Sequence, residues 1–224
     1  DLTMSNAGIA VQAFLNARKS SEIIFGNNMT SLTFHISRSI GNTLNAGDRI
    51  LLSKLDHEAN ISPWQLLAKD KNCVVEFVEI NRETCTLNED DLEKKLESKP
   101  KIIAFTACYN ATGTLNDVPR MTKMAHDAGA KVFVDAVHYA PHKSIDVISW
   151  NCDFLACSAY KFFGPHVGIL YAKESISENL QPYKVRPAPN SNPGKWMTGT
   201  QNHEGIAGAN AAIDYLASLS ETNI

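Results

Sequence analysis

Residues 156–168 read Ala156-Cys157-Ser158-Ala159-Tyr160-Lys161-Phe162-Phe163-Gly164-Pro165-His166-Val167-Gly168. This stretch places one lysine and a Gly-Pro turn between two short apolar runs, at 154–157 and 168–172, which predict buried strands. A lysine enclosed by apolar residues loses hydration of its ammonium group, which leaves more of the nucleophilic amine that Schiff-base chemistry needs. Lys161 is therefore a candidate catalytic residue. A surface lysine on a turn is the commoner alternative, because lysine is rarely buried without a partner.

Apolar strand patterns alternate with helical patterns along the rest of the chain. Further strands are predicted at 49–52, 73–78, 101–106 and 131–134, and helical segments lie between them. This alternation favours an α/β fold of three αβα layers around a mixed, mainly parallel sheet of about seven strands. The 224 residues are predicted to form one domain.

Polar side chains recur just after the predicted strands, where the loops of an open α/β sheet form a ligand crevice. These side chains are His57, Asn110, Asp135 with His138, and Ser158 with Lys161. An acid, an imidazole, an amide and a lysine on successive crevice loops are the groups that hold pyridoxal phosphate. Each has an ordinary alternative, such as a helix cap, a turn or a core histidine.

A turn rich in glycine and asparagine, at 25–31, precedes a helical pattern in which Leu32, Ile36 and Ile40 recur every four residues. Free N–H groups and hydroxyls at the positive end of a helix dipole bind anions, so Met29, Thr30 and Ser158 are candidate phosphate ligands. The same residue types also form a plain N-cap, which is more common.

Composition limits the class of partner. The net charge is −3 and the basic residues are scattered, so neither nucleic acid nor an anionic membrane is indicated. No apolar run approaches the length of a spanning helix, and the first residues given lack the charged-then-apolar order typical of a secretory signal. Five cysteines without a C-x-x-C pair indicate reduced thiols of a cytoplasmic protein. Cys108 and Cys157 flank polar motifs, so a place for one of them in a site is an alternative, but their apolar surroundings favour core packing. No Cys/His spacing of a metal site occurs.

Six motifs in order give the chain a resemblance to the class V aminotransferase group of fold-type I pyridoxal-phosphate enzymes. It is most similar to the cysteine desulfurase and selenocysteine lyase branch, especially its divergent desulfurase-like members. The motifs are G-x-N-x-T from Gly26, H-E-A-N-x-x-P-W from His57, N-x-x-G-T from Asn110, V-D-A-x-H from Val134, S-A-Y-K from Ser158 and G-T-x-N-x-x-G from Gly199. Together they extend from Gly26 to Gly205, and their order is far more specific than any one motif.

The resemblance implies the cofactor pyridoxal 5'-phosphate and a role for each motif residue. Lys161 would carry the cofactor as a Schiff base and move protons at the α-carbon of an amino-acid substrate. Asp135 would pair with the pyridine nitrogen, His57 would stack on the ring, and Asn110 would bond near the phenolic oxygen. Thr30, the Met29 amide and Ser158 would bind the phosphate. Thr200 would reach the phosphate of the neighbouring subunit, which implies a homodimer with a shared active site. A sulfur-acceptor protein is a further implied partner.

Three departures from the desulfurase pattern leave alternatives open. Tyr160 stands where histidine usually precedes the lysine, and His138 stands where glutamine is usual. The resemblance implies removal of sulfur or another β-substituent from an amino acid such as cysteine. The two changes make a related epimerase or β-lyase the alternative. The third departure is that residues 1–224 contain neither the substrate-binding arginine nor the loop cysteine of the family's small C-terminal domain. The chain also starts without Met, inside a helical pattern. We therefore expect residues 1–224 to be the cofactor-binding large domain without its flanking segments, and a catalytically incomplete binding or interaction domain is a second alternative.

Overall fold

In this computed structural model, which describes residues 2–219, a seven-stranded mixed sheet lies between two layers of helices. The strands are β1 (Ile23–Gly26), β2 (Arg49–Ser53), β3 (Val74–Val78), β4 (Ile80–Asn81), β5 (Thr86–Leu87), β6 (Ile102–Thr106), β7 (Lys131–Asp135), β8 (Phe154–Ser158) and β9 (Gly168–Ala172). The α-helices are α1 (Leu2–Leu15), α2 (Met29–Gly41), α3 (Ser62–Lys71), α4 (Glu89–Leu96), α5 (Val118–Asp127), α6 (Val147–Trp150), α7 (Glu174–Ser177) and α8 (His203–Ser218). None of these helices has both the length and the apolar character required to cross a membrane.

The order of strands in the main sheet is β1-β9-β8-β7-β6-β2-β3. The five strands β8, β7, β6, β2 and β3 are parallel, and β9 runs antiparallel to both of its neighbours, β8 and β1. Strand β1 therefore points in the same direction as β8. The carboxyl ends of β1, β2, β6, β7 and β8 all lie at one edge of the sheet, and the predicted mixed, mainly parallel three-layer fold is confirmed.

Both faces of the sheet are buried, as two-sided coverage by helices requires. On β7, Val132 and Val134 belong to the core on the side of α1, α5 and α8, whereas Phe133 between them belongs to the core on the side of α2 and α3. This alternation follows the two-residue repeat of a strand. The continuous apolar runs in the sequence are thus central strands with both faces covered.

Several elements differ from the sequence prediction. Helix α2 begins at Met29, earlier than the Leu32 repeat suggests, because the Asn28 side chain caps it by accepting a hydrogen bond from the Ser31 N–H at 2.9 Å. Strand β1 and helix α8 were not predicted. Between β7 and β8, helix α6 is a single helical turn capped by Asp146.

Candidate functional site

A cavity of about 180 Å³ lies at the carboxyl edge of the sheet, where the sequence predicted a ligand crevice. Eight of the ten predicted site residues line it, namely Met29, Thr30, His57, Asn110, Asp135, His138, Tyr160 and Lys161. Ala59, Thr106, Cys108 and Val137 complete the lining. Because five strands deliver their following loops to this edge, residues more than 100 positions apart share one cavity.

Asp135, the last residue of β7, places a buried carboxyl group in the wall of this cavity. Its side chain accepts a hydrogen bond from the Val137 N–H at 2.8 Å, the only donor to this carboxyl within residues 2–219. Burial raises the pKa of Asp135 to about 6, although the Val137 N–H and then the nearby His57 oppose that rise. The ionised carboxylate therefore lacks a full set of partners, and a cationic group in the cavity would stabilise it.

His57 lies in the loop after β2 and caps a short 3-10 helix, Glu58–Asn60. Its Nδ1 accepts a hydrogen bond from the Ala59 N–H at 3.0 Å, so the proton of the neutral ring resides on Nε2. The backbone thereby fixes the tautomer and restrains the orientation of the ring. The imidazole itself is exposed to the cavity.

Lys161 ends a 3-10 helix that continues directly from β8. Its side chain is exposed at the cavity, so the expectation that apolar residues enclose it is wrong. Phe162 is buried in the core, but Phe163 is 75% exposed and turns away. Nζ lies 5.8 Å from the centroid of the Tyr160 ring, which stacks on His166 at 4.9 Å. The Lys161 amine is therefore accessible to a ligand. Its activation as a nucleophile has to come from the bound ligand and from the other groups of the cavity, since apolar residues do not enclose it.

The N-terminus of α2 is held at the cavity by β8 and β9. The Met29 N–H donates to the Ser158 hydroxyl at 2.9 Å, and a Cβ on Gly168 would lie only 2.4 Å from the backbone carbon of Asn28. The absence of a side chain at Gly168 is what permits this close approach. The positive end of the α2 dipole is therefore fixed next to Thr30.

This arrangement changes the phosphate-binding roles predicted for Ser158 and for the Met29 N–H. Ser158 is fully buried and outside the cavity lining, and the Met29 N–H is already bonded to it. As an acceptor in that bond, the Ser158 hydroxyl keeps its own proton to donate. Thr30 is exposed at the cavity and is directly available to an anion.

Thr200 does not line the cavity. It lies in a second cavity of about 180 Å³, together with Asn27, Ser31, His35 and Gln201. The sequence prediction gave Thr200 to the neighbouring subunit's site, so its position outside this chain's own cavity is compatible with that role.

The remaining predicted residues, Asn110 and His138, occupy loops after β6 and β7. Asn110 is exposed, and the half-buried His138 ring meets His142 edge-on at a centroid distance of 5.1 Å. Cys108 is buried, as its apolar surroundings predict, and it also lines the cavity. Burial raises the pKa of its thiol, so it is protonated at neutral pH. Cys157 is buried in the core as expected.

Sequence reasoning missed Asp56 and Thr106. Asp56 accepts hydrogen bonds from the Thr106 N–H at 3.0 Å and from Asn60 Nδ2 at 2.8 Å. Burial, followed by the negative charge of Asp135, raises the pKa of Asp56 well above its usual value. The available signal was an acid directly before His57 in a strand-end loop. Within residues 2–219, no group of acidic, histidine or cysteine side chains has the arrangement of a metal site.

Comparison with known proteins assigns the chain to a family. A family model described as aminotransferase class-V matches residues 2–224. The chain belongs to the class-V aminotransferase family. A class-V relative, the cysteine desulfurase of Enterobacter sp. (strain 638), is 34% identical over 230 residues, which cover 96% of this chain and 56% of the relative. A cysteine desulfurase of Escherichia coli (strain K12 / DH10B) is 32% identical over 235 residues, covering 99% and 58%.

Solved structures support the same class-V assignment. A cysteine desulfurase crystal structure from Escherichia coli matches with a TM-score of 0.90 and 29% identity, over 96% of this chain and 57% of that one. The apo cysteine desulfurase of Thermococcus onnurineus NA1 matches with a TM-score of 0.92 and 28% identity, over 97% and 57%. The chain therefore spans between one half and two thirds of the length of these relatives.

Proposed function

We propose that residues 1–224 form the cofactor-binding large domain of a pyridoxal-phosphate enzyme of cysteine desulfurase type, which removes sulfur or another β-substituent from an amino acid. One observation carries the proposal: the buried Asp135 carboxyl and the exposed Lys161 amine line a single cavity beside the N-terminus of α2. The similarity to cysteine desulfurases supports the choice of reaction.

The donor set fits pyridoxal phosphate. The Asp135 carboxylate needs a cationic partner, which a protonated pyridine nitrogen supplies. The start of α2 with the Thr30 hydroxyl suits a phosphate, and the Lys161 amine suits an aldehyde. The cavity thus offers matching groups for each reactive part of the cofactor.

When bound, pyridoxal phosphate supplies an electron-withdrawing ring that stabilises negative charge at the substrate α-carbon. Asp135 would hold a proton on the ring nitrogen, and His57, with its tautomer fixed by the Ala59 N–H, would lie against the ring. Lys161 would anchor the cofactor through Nζ and move the proton of the substrate α-carbon. Asn110 would bond near the phenolic oxygen, and Thr30 would hold the phosphate at the start of α2, which Ser158 fixes through the Met29 N–H.

The proposal includes a homodimer, in which Thr200 of one subunit serves the phosphate site of the other, and a sulfur-acceptor protein as a partner. Thr200 lies outside the lining of this chain's own cavity, as that role requires. A reducing, cytoplasmic location is also part of the proposal. All five cysteines lie in the described part of the chain and are free thiols, which supports it.

Epimerase or β-lyase chemistry is the second candidate. It is favoured by Tyr160 and His138, since both of these departures from the desulfurase pattern line the cavity. An additional imidazole and a phenol near the substrate offer further groups that exchange protons.

Titration of the purified protein with pyridoxal phosphate tests the cofactor assignment. We expect a visible absorption band that Lys161→Ala abolishes and that Lys143→Ala, at an exposed lysine outside the cavity, leaves intact. A band that persists in Lys161→Ala would contradict the anchor. For the reaction, the full-length protein is expected to release sulfide and alanine from cysteine. Racemisation or elimination without alanine would select the second candidate.

A further inference from the structure

Two side-chain contacts, one from each loop, join two loops that carry candidate cofactor ligands. The loop at 53–60 carries His57, and the loop at 106–116 carries Asn110. From the first loop, the Asp56 carboxylate accepts a hydrogen bond from the Thr106 N–H at 3.0 Å. From the second, the Tyr109 hydroxyl lies 3.2 Å from the Ser53 hydroxyl. We call these two contacts the cross-loop clamp.

The Tyr109–Ser53 contact is buried, and the Thr106 end of the other contact is buried against a half-buried Asp56, so solvent does not replace these bonds at low cost. Tyr109 has no exposed surface, and the exposures of Ser53 and Thr106 are 1% and 4%. A buried hydroxyl or N–H that loses its partner keeps the desolvation penalty without compensation. Both links therefore favour one relative position of the two loops.

The clamp is connected to the sheet and to a helix. The Thr106 hydroxyl donates to the Asp135 carbonyl oxygen at 3.0 Å, and Asn116 Nδ2 donates to the Thr106 carbonyl oxygen at 2.7 Å. On the other side, Asn60 Nδ2 donates to Asp56, while its Oδ1 accepts from Trp64 Nε1 at 3.3 Å. Fixed secondary structure therefore supports the clamp at both ends.

Three of the four clamp residues either line the cavity or directly precede a residue that does. Asp56 directly precedes His57, Tyr109 directly precedes Asn110, and Thr106 itself lines the wall. A displacement of either loop would thus move a group proposed to contact the cofactor ring. Neither the motif pattern nor the family match assigns Asp56 or Tyr109 any role.

We propose that Asp56 and Tyr109 are positioning residues that hold His57 and Asn110 at the cofactor through the cross-loop clamp. This inference rests on the proposed function, because it concerns the placement of pyridoxal-phosphate ligands. Both Thr106 and Asn60 donate hydrogen bonds to Asp56. These bonds agree with a carboxyl group that is retained at this position despite its proximity to Asp135.

The test uses Tyr109→Phe, which removes one hydroxyl, and Asp56→Ala, which removes the acceptor of the Thr106 N–H. Tyr171→Phe is the matched control, since Tyr171 is a buried tyrosine of β9 whose ring does not line the cavity. Amide hydrogen exchange of the cofactor-free, full-length protein reports on the loops. The dissociation constant for pyridoxal phosphate, from absorbance titration, reports on the site.

We expect each clamp variant to accelerate exchange in both loops and to weaken cofactor binding about tenfold, as the loss of one buried hydrogen bond suggests. The Tyr171→Phe control should change neither quantity. Faster exchange with unchanged cofactor affinity would overturn the inference, because the clamp would then be only structural. Unchanged exchange would overturn it as well.

The two proposals fail in distinguishable ways. If the unsubstituted protein binds no pyridoxal phosphate, the proposed function fails, and the positioning role fails with it. If the unsubstituted protein binds the cofactor and the two clamp variants bind it equally well, only the further inference is overturned.

Discussion

The Ser158 hydroxyl accepts a hydrogen bond from the Met29 N–H at 2.9 Å, across 129 residues of chain. Ser158 ends β8, three residues before Lys161, and Met29 is the first residue of α2. One bond therefore ties the proposed anchor of the cofactor to the proposed phosphate site. Both groups are buried, so water does not replace the contact.

Ser158→Ala is expected to lower the free energy of unfolding by about 1–2 kcal/mol, because the buried Met29 N–H loses its acceptor. Under the proposed function it should also weaken pyridoxal phosphate binding, since the start of α2 is less firmly held. Urea unfolding and absorbance titration measure the two effects. Ser37→Ala is the control, because that buried hydroxyl donates only to the Phe34 carbonyl oxygen within α2. Equal effects in both variants would argue against a special role for Ser158.

Gly168→Ala is expected to destabilise the protein by about 1–3 kcal/mol, since the new methyl group overlaps the Asn28 backbone. The displaced turn would move the start of α2 away from the cavity. Gly8→Ala in α1 is the matched control, because the nearest atom to its Cβ would be 3.6 Å away. There, alanine should stabilise the helix by about 0.5–1 kcal/mol. Thermal unfolding of both variants checks the contrast in sign, and a stable Gly168→Ala variant would refute the close approach.

Asp135→Asn is expected to stabilise the cofactor-free protein at pH 8. A carboxyl pKa raised from 3.8 to about 6 means that the folded state binds the proton more tightly than the unfolded chain. The stability that this proton confers is complete below about pH 4 and is lost as the pH rises through about 6. The uncharged amide avoids that loss, so the advantage of Asp135→Asn should grow over this interval to about 2–3 kcal/mol.

Urea unfolding of the two cofactor-free proteins at pH 4 and at pH 8 measures this difference. An advantage that does not depend on pH would show that the Asp135 charge is not its source. With cofactor bound, the same substitution should still allow binding but abolish most turnover, because an amide does not hold the proton on a pyridine nitrogen.

Mixed dimers of Lys161→Ala and Thr200→Ala subunits test the shared site. If Thr200 serves the neighbouring subunit, each mixed dimer contains one site with both residues intact, which restores about a quarter of all sites. If Thr200 served its own subunit, no site of a mixed dimer would be intact. Cofactor absorbance measured after refolding the two variants together distinguishes these results, and either variant refolded alone is the control.

The sequence by itself determined which residues follow the strands. Buried central strands require apolar runs, so β2, β3, β6, β7, β8 and β9 were predictable within a residue or two. The polar groups after them, such as Asp135 and Lys161, were visible because strand-end loops of α/β sheets form the ligand crevice. The order of the six motifs also indicated the class V aminotransferase family.

Only the tertiary structure decided how those groups meet. The strand order places β9 between β1 and β8, and this order brings Met29 to Ser158 and leaves Gly168 against Asn28. Packing between distant segments also produces the links of Asp56 to Thr106 and of Tyr109 to Ser53. The same packing decides that Lys161 is exposed and that Thr200 lies in a separate cavity. Periodicity and composition describe neighbours along the chain, whereas these contacts depend on packing between elements, which local sequence patterns do not encode.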